Sequence, residues 1–316
     1  MRSATAKHSE QVLHAVHSGA AAHSAVAASW CRSALRHGLD PAEARRRERL
    51  GAGEMAQLRQ RNGDLLAVAT PVLDTLYGSV GRTGCGVVLS DRNGLVLETR
   101  VGLGDAALFS AIGLDAGVEW SEAAEGTNGI GTCLAEGRAV NILRHEHFAS
   151  RNVGVSCMDA PIFDPMGQLV AALDVSSCRM DHGEAMAVMI AALVQDAARQ
   201  IERDFFMAHF GHARVFCAPE AGAGLLAVDQ DDLVIGATRA ARRRYGLSDK
   251  AFADPRPLDD VLGGMADAGF AQGERTVLRQ ALARSGGNVA AAARSLGIGR
   301  ATFYRRMERA GLSSDK

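Results

Sequence analysis

One stretch near the C-terminus constrains this chain more than any other. From Gly287 it reads Gly-Asn-Val-Ala-Ala-Ala-Ala-Arg-Ser-Leu-Gly-Ile-Gly-Arg-Ala-Thr-Phe-Tyr-Arg-Arg-Met, ending at Met307. Asn288 is a good helix N-cap because its side-chain oxygen can accept from the free N–H groups of the following turn. Val289 to Leu296 favours helix, and Gly297 can take the left-handed conformation that ends one. A second helix starts near Arg300 and runs to Ala310, where Gly311 stops it. Two short helices joined by a tight Gly-containing turn form a helix-turn-helix, whose second helix enters the major groove of DNA. Ala292, Ala293, Leu296, Ile298, Phe303 and Met307 supply its core, which turns Arg300, Thr302, Tyr304, Arg305 and Arg306 outward.

Charge points the same way. Between Glu274 and Leu312 there are eight arginines against two glutamates, a balance of +6, while the whole chain carries −1. The remainder therefore sums to −7, and a basic module on an acidic body is the footprint of phosphate binding confined to one end.

These residues resemble the Fis-type helix-turn-helix that ends bacterial enhancer-binding activators, over about Glu274 to the C-terminus. The resemblance implies base contacts at Gly299, Arg300, Thr302 and Tyr304 and phosphate contacts at Arg305 and Arg306. Gly299 stands where that family often has Ser or Asn. With the cap and the end of the second helix, the expected DNA-binding residues are Asn288, Arg300, Thr302, Tyr304, Arg305, Arg306 and Arg309.

The chain has 316 residues, 47% hydrophobic and 22% charged, an ordinary globular composition for two or three domains. Six cysteines (31, 85, 133, 157, 178, 217) never reach CxxC spacing, so reduced thiols and a cytoplasmic location are the expectation. The segment 11–31 is too rich in His and Ser for a signal or membrane helix.

Ser9 to His37 reads as one Ala-rich helix, and Arg45 to Arg49 as a solvated charged face. Met55, Leu58, Leu65, Leu66, Ala69, Val72, Leu73, Leu76 and Val80 recur at helical spacing, with a bend expected at Pro71. From Gly86 to about Ser176 the pattern changes to hairpins, with turns at 91–94 and 165–167. His182 to Phe210 is a long helix whose stripe of Met186, Met189, Leu193, Ala197, Ile201 and Phe205 combines core packing with a short dimer seam. Beyond it, 224–229, 233–238 and 239–245 read as strand, strand and helix, and 254–273 as linker.

Ser29-Trp30-Cys31-Arg32-Ser33, Gly126-Thr127-Asn128-Gly129-Ile130-Gly131-Thr132 and Glu146-His147-Phe148 resemble the sensor part of the acetoin-catabolism (AcoR-like) regulator group, a GAF domain, over about Trp30 to Phe210. With the helix-turn-helix, this gives an expected α+β fold: a GAF-like antiparallel sheet with flanking long helices and an all-α helix-turn-helix, while the strand-strand-helix pattern after 210 looks like the opening half of a PAS domain, a partial PAS-like segment. The expected divisions are 1–80 helical, 81–210 GAF-like, 211–252 PAS-like, 253–273 linker and 274–316 DNA-binding. The activators it resembles carry a central AAA+ ATPase that remodels polymerase. A P-loop needs Gly-Lys-Ser/Thr, and the three lysines here follow Ala6, Asp249 and Asp315, so no such ATPase can be written.

The expected ligand-binding residues are Trp120, Thr127, Asn128, Thr132, His147 and Cys157. The segment 126–134 offers hydroxyls and an amide but no Lys or Arg, which favours a small neutral effector over a diphosphate or dicarboxylate. His145, His147, Glu146 and Asp159 could ligate a metal, but their spacing outside a helix fits a polar loop better; no metal, cofactor or catalytic residue is expected. The function expected is a one-component regulator, not an enzyme. Its partners are double-stranded DNA, a small-molecule effector, a second copy of itself, and RNA polymerase or a full-length activator relative; no membrane is involved. Two alternatives stay open: a thiol redox enzyme using Cys133, Cys157 and Cys178, and a ligand-independent nucleoid-type DNA-binding protein.

Overall fold

The computed structural model describes residues 2–43, 47–218, 224–263 and 270–312. It divides into two compact units, 1–229 with 235–248, and 230–234 with 249–316. Among the described residues no helix is long and apolar enough to cross a membrane.

The N-terminal Ala-rich stretch is not the single helix its composition suggests. Helix α1 (Arg2–His17) stops before Gly19, whose φ of 71° no continuing helix tolerates. A short turn at Ala20–Ala22 leads to α2 (Ala25–Cys31), capped by Ser24 Oγ accepting from the Ala27 N–H, and α2 widens into a π-helical turn over Arg32–Arg36. The next pair, α3 (Ala52–Arg61) and α4 (Gly63–Val80), is divided at Asn62; α4 passes through Pro71.

The centre of this unit is a five-stranded sheet of order β2-β1-β5-β4-β3, formed by β1 (Cys85–Asp91), β2 (Val96–Arg100), β3 (Val140–Leu143), β4 (Ser156–Phe163) and β5 (Leu169–Ser177). All its pairings are antiparallel, and tight hairpin turns require this for β1–β2 and β4–β5. Three short helices, α5 (Ala106–Ala111), α6 (Glu122–Glu125) and α7 (Gly129–Glu136), lie in the connection from β2 to β3.

The register decides what each face carries. Met158, Ala160 and Ile162 of β4, Ala171, Leu173 and Val175 of β5, and Val87 and Leu89 of β1 share one face. They pack with Leu65, Leu73 and Leu76 of α4 and with Ile190, Val194 and Ile201 of α8 (Glu184–His209) into the main core. Cys157 and Asp159 of β4 and Asp174 and Ser176 of β5 point the other way, toward α7. Each large side chain buried in the main core contributes roughly 1.5–3 kcal/mol of transfer free energy. The stripe expected on α8 splits accordingly: Ala197 and Ile201 are buried, while Met189 and Leu193 are 67% and 41% exposed.

Beyond α8, the strand β6 (Arg214–Ala218), which the sequence pattern did not reveal, joins β7 (Gly224–Val228) and β8 (Val234–Ala237) in a three-stranded sheet, followed by α9 (Arg239–Tyr245). The second unit has α10 (Lys250–Ala253), α11 (Leu258–Val261), α12 (Phe270–Arg284), α13 (Val289–Ser295) and α14 (Arg300–Arg309). Part of the expected linker is therefore helical, at 258–261 and 270–273; its residues 264–269 lie outside the described residues, as does the end of the chain at 313–316. Leu278 and Ala281 of α12 complete a three-helix core with Ala292, Ala293, Phe303 and Met307.

Leu73 is 1% exposed where α4 meets the main core. Leu73→Ala is expected to lower unfolding stability by about 2–5 kcal/mol, measured as a shift of the urea midpoint at unchanged slope.

Candidate functional site

The helix-turn-helix presents two sides. Asn288 Oδ1 accepts from the Ala291 N–H at 3.1 Å, so its side chain is committed to capping α13. Gly297 ends the following turn at φ 63°. In α14, Phe303 and Met307 are buried, which leaves Arg300, Tyr304 and Arg305 exposed and Thr302 half-buried. The Arg300 guanidinium lies 5.7 Å from the centre of the Tyr304 ring, one turn on. Arg306 turns toward α12 and pairs with Glu274 at 3.3 Å. With Arg309, Val277, Leu278, Leu296 and Ile298 it borders a groove of about 580 Å³. The expected DNA-binding residues thus separate into an outward set (Arg300, Thr302, Tyr304, Arg305), a groove set (Arg306, Arg309) and a cap.

In the other unit, all six expected ligand residues are buried at 3% exposure or less. Asn128 caps α7, accepting from the Gly131 N–H and donating to the Gly126 carbonyl, both at 2.8 Å. Trp120 donates its indole N–H to the Gly113 carbonyl at 2.8 Å, and the Arg47 guanidinium stacks over its ring at 4.6 Å. Thr127 and Thr132 join a buried network that sequence reasoning missed. Its hub is Glu122, which accepts from Ser29 Oγ at 2.5 Å, from Thr132 Oγ1 at 3.0 Å and from both nitrogens presented by Arg32 at 2.8 and 2.9 Å. Ser29 Oγ also lies 2.7 Å from Thr127 Oγ1. Trp30 donates to the Glu146 carbonyl at 2.8 Å, and the His8 ring meets Ser150 and the His145 carbonyl. The N-terminal helices are therefore hydrogen-bonded into the sensor loop.

A second buried carboxylate, Glu125, receives Arg47 at 2.9 and 2.8 Å and Arg151 at 2.7 Å. Arg47 belongs to the run expected as a solvated helical face. It is instead 15% exposed and ion-paired, because a buried carboxylate requires a counter-charge; Arg45 and Arg46 lie outside the described residues. Burial alone would raise the Glu125 pKa, but the two guanidinium groups hold it below its ordinary value.

Beneath the start of α7 the sheet carries a third polar group. Cys157 Sγ lies 3.5 Å from His147 Nε2 and 3.2 Å from Ser176 Oγ, and Ser176 donates to Asp174 Oδ2 at 2.7 Å. Burial lowers the His147 pKa to about 4, so the ring is neutral at pH 7. Asp159 and Asp174 are directly opposite in the β4–β5 register, and burial raises both carboxyls above the ordinary range.

The six cysteines are all unpaired with one another. Burial pushes the Cys133 and Cys157 thiols well up and that of Cys178 to about 11. A thiol enzyme needs a thiolate near neutral pH, so this arrangement does not favour that alternative.

Comparison with known proteins agrees with this geometry. Residues 64–203 match the GAF domain family, and residues 270–309 match the Fis family of bacterial regulatory proteins. The acetoin catabolism regulatory protein of Cupriavidus necator is 32% identical over 222 residues, which are 68% of this chain and 33% of that protein. The AcoR activator of the acetoin dehydrogenase operon in Bacillus subtilis is 29% identical over 174 residues, 52% of this chain and 28% of that protein. The MimR activator of the propane 2-monooxygenase operon in Mycolicibacterium smegmatis is 29% identical over 153 residues, 47% of this chain and 26% of that protein. The chain spans about a third or less of the length of these relatives. Among solved structures, the E. coli DhaR(N)–DhaL complex aligns with a TM-score of 0.53 at 17% identity, covering 74% of this chain and 80% of that one. The chain thus carries a GAF domain and a Fis-type helix-turn-helix.

Glu125 is ionised because of its arginines, so the stability it contributes is present above the ordinary carboxylate pKa and is lost as pH falls through the lowered one. Glu125→Gln is expected to cost about 3 kcal/mol at pH 7, the scale of a broken buried ion pair. Its stability should also fall less than that of the wild type as the solution is acidified below about pH 5, measured by urea unfolding across that range.

Proposed function

We propose that the chain is a one-component transcription regulator, in which a GAF domain receives a small-molecule effector and the Fis-type helix-turn-helix binds specific double-stranded DNA. The observation that carries this reading is the outward side of α14, where Arg300, Tyr304 and Arg305 stand exposed on a rigid three-helix core in a strongly basic segment. An arginine at the start of a recognition helix can read a guanine edge, and one farther along holds phosphate. Arg300, Thr302 and Tyr304 take the base-reading role, and Arg305 the phosphate role. Arg306, already paired with Glu274, supports α12 and α14 more than it supports DNA.

The effector belongs to the class of small neutral molecules with one or two hydrogen-bonding groups. In support, the arginines nearest the sensor loop are already neutralised by Glu122 and Glu125, and His147 is uncharged. The protein works as a homodimer in the cytoplasm on a two-fold-related DNA site. A single helix-turn-helix contacts too little DNA for high specificity, and α8 leaves Val188, Met189 and Leu193 exposed along one side. The internal segment between sensor and helix-turn-helix offers no P-loop lysine. The protein therefore acts by recruiting or blocking RNA polymerase, or by competing with full-length activator relatives for their sites.

Three outcomes test this reading. Arg300→Ala should lose about 1–3 kcal/mol of specific affinity together with base discrimination, while Arg305→Ala should weaken all sequences alike and reduce the salt slope by about one. Both are read by fluorescence anisotropy on specific and scrambled duplexes; equal losses for Arg300→Ala on the two would displace the recognition helix. Met189→Glu with Leu193→Glu should turn a dimer into a monomer in sedimentation velocity without unfolding it. Titrating small ketones, alcohols and phenols while following DNA affinity tests the effector class, which tight binding of a cyclic nucleotide would overturn.

A further inference from the structure

The face of the sheet beneath α7 holds buried carboxyl oxygens that find no hydrogen-bond partner among the described residues. Cys157, Asp159 and Asp174 each offer one donor atom, and these three atoms lie within 4.8 Å of one another. All three residues are buried: 3%, 2% and 0% exposed. Among the described residues, both oxygens of Asp159 and Oδ1 of Asp174 are sealed from solvent without a hydrogen-bond donor. The two carboxyls face each other and can share a single proton, but that still leaves one Asp159 oxygen without a partner. Buried polar atoms are satisfied in the great majority of cases, so this set stands out from Glu122 and Glu125, whose oxygens are held by arginines.

The surroundings are arranged as a ligand set requires. His147 Nδ1 lies 3.0 Å from the Arg144 carbonyl and must donate to it, which makes Nε2 an unprotonated acceptor facing Cys157, 3.5 Å from Sγ. A ring held by a carbonyl on one nitrogen and unprotonated on the other is the usual state of a metal-binding histidine. Gly129 has no room for a side chain, since an added Cβ would fall 2.0 Å from Asp159 Oδ2 and 2.5 Å from the Cys157 Cβ. Helix α7 is thereby set directly over the donors, closing the site on the side away from the sheet.

We propose that Cys157, Asp159 and Asp174 bind a divalent first-row transition ion of the zinc and ferrous class, with His147 Nε2 as the adjoining donor. Bonds of about 2.0–2.3 Å to such an ion place its ligand atoms roughly 3–4 Å apart, which side-chain rotation can reach from the observed spacing. A thiolate beside two carboxylates suits this class, whereas magnesium and calcium take oxygen ligands. The incoming ion displaces the thiol proton and the proton shared by the carboxyls, and both leave to solvent. The site lies in the sensor unit and would give the proposed regulator a metal-dependent sensing core. The inference rests on that reading only for its physiological sense, because its test reads metal alone.

The test uses the untagged full chain, stripped with chelator and titrated with Co(II), both folded and during refolding from urea. One equivalent should bind with an intense thiolate-to-cobalt absorption in the near ultraviolet. Cys157→Ser should abolish that band and Cys133→Ser, a buried thiol outside the cluster, should keep it. Asp174→Asn and His147→Gln should each weaken binding by at least about ten-fold. Circular dichroism identifies any variant that fails to fold, and Asp159→Asn, which removes an unpartnered buried carboxyl, is expected to fold and still bind Co(II) more weakly. Competition with Zn(II) and with Fe(II) under anaerobic conditions then ranks the two ions. No stoichiometric binding in either titration, or a band that survives Cys157→Ser, would overturn the proposal. Effector and DNA binding are not read here, so either idea can fail alone.

Discussion

The sensor unit depends on the antiparallel register of β4 and β5. Because side chains alternate along a strand, one pairing fixes two chemically different surfaces. Pairing Met158 with Val175 and Ala160 with Leu173 builds an apolar wall for α4 and α8. The same register sets Asp159 against Asp174 and Cys157 against Ser176 on the opposite wall, under α7. A slip of β5 by one residue would turn Asp174 into the apolar core and Leu173 out of it. The large apolar core therefore holds a polar arrangement that could not sustain itself.

Charge compensation then explains the N-terminal helices. They do not form an independent bundle; Ser29 and Arg32 reach Glu122, and Arg47 reaches Glu125. Removing a carboxylate from water is costly, and the Coulombic return is large only with good geometry. Both glutamates have it, in two-pronged contacts from arginine. These ion pairs bridge residues about ninety and eighty positions apart, so they tie the beginning of the chain to α6. The segment that carries Glu122 and Thr127 is tied to α2, because Ser29 hydrogen-bonds to both.

Most elements were legible from local pattern. The hairpins of β1–β2 and β4–β5, the long α8, and the pair α13–α14 are set by alternation, turn residues and caps, all of which act over a few positions. The break of the first helix was missed because an Ala-rich composition outweighs a single glycine until Gly19 is seen at positive φ. The strand β6 was missed because Arg214–Ala218 has three exposed residues and forms by pairing with β7. The site was less legible than the fold. Thr127, Asn128, Thr132, His147 and Cys157 were singled out, but their partners Ser29, Glu122 and Asp174 come from remote segments. The Arg47 run looked solvated since no local signal tells a surface arginine from one that finds a buried glutamate.

Two kinds of buried acid in one domain separate structural from functional roles. Glu122 is saturated by Arg32, Ser29 and Thr132, and Glu125 by Arg47, Arg151 and Asn152; the two arginines hold Glu125 ionised at neutral pH. Asp159 and Asp174 are equally buried, yet among the described residues only Ser176 donates to them, to one oxygen of Asp174. Apolar residues of similar size would fit the sheet with less desolvation cost, so the fold alone does not call for these carboxyls. Local rules that fail without structural compensation mark functional sites more often than defects. A cation in that position would do for the aspartates what the arginines do for the glutamates. It would also lock α7, through Gly129, to the two central strands, and α7 is joined through Thr132 and Glu122 to the N-terminal helices. The uncompensated pair is thus placed where filling it would stiffen the sheet, the sensor loop and the N-terminal segment together.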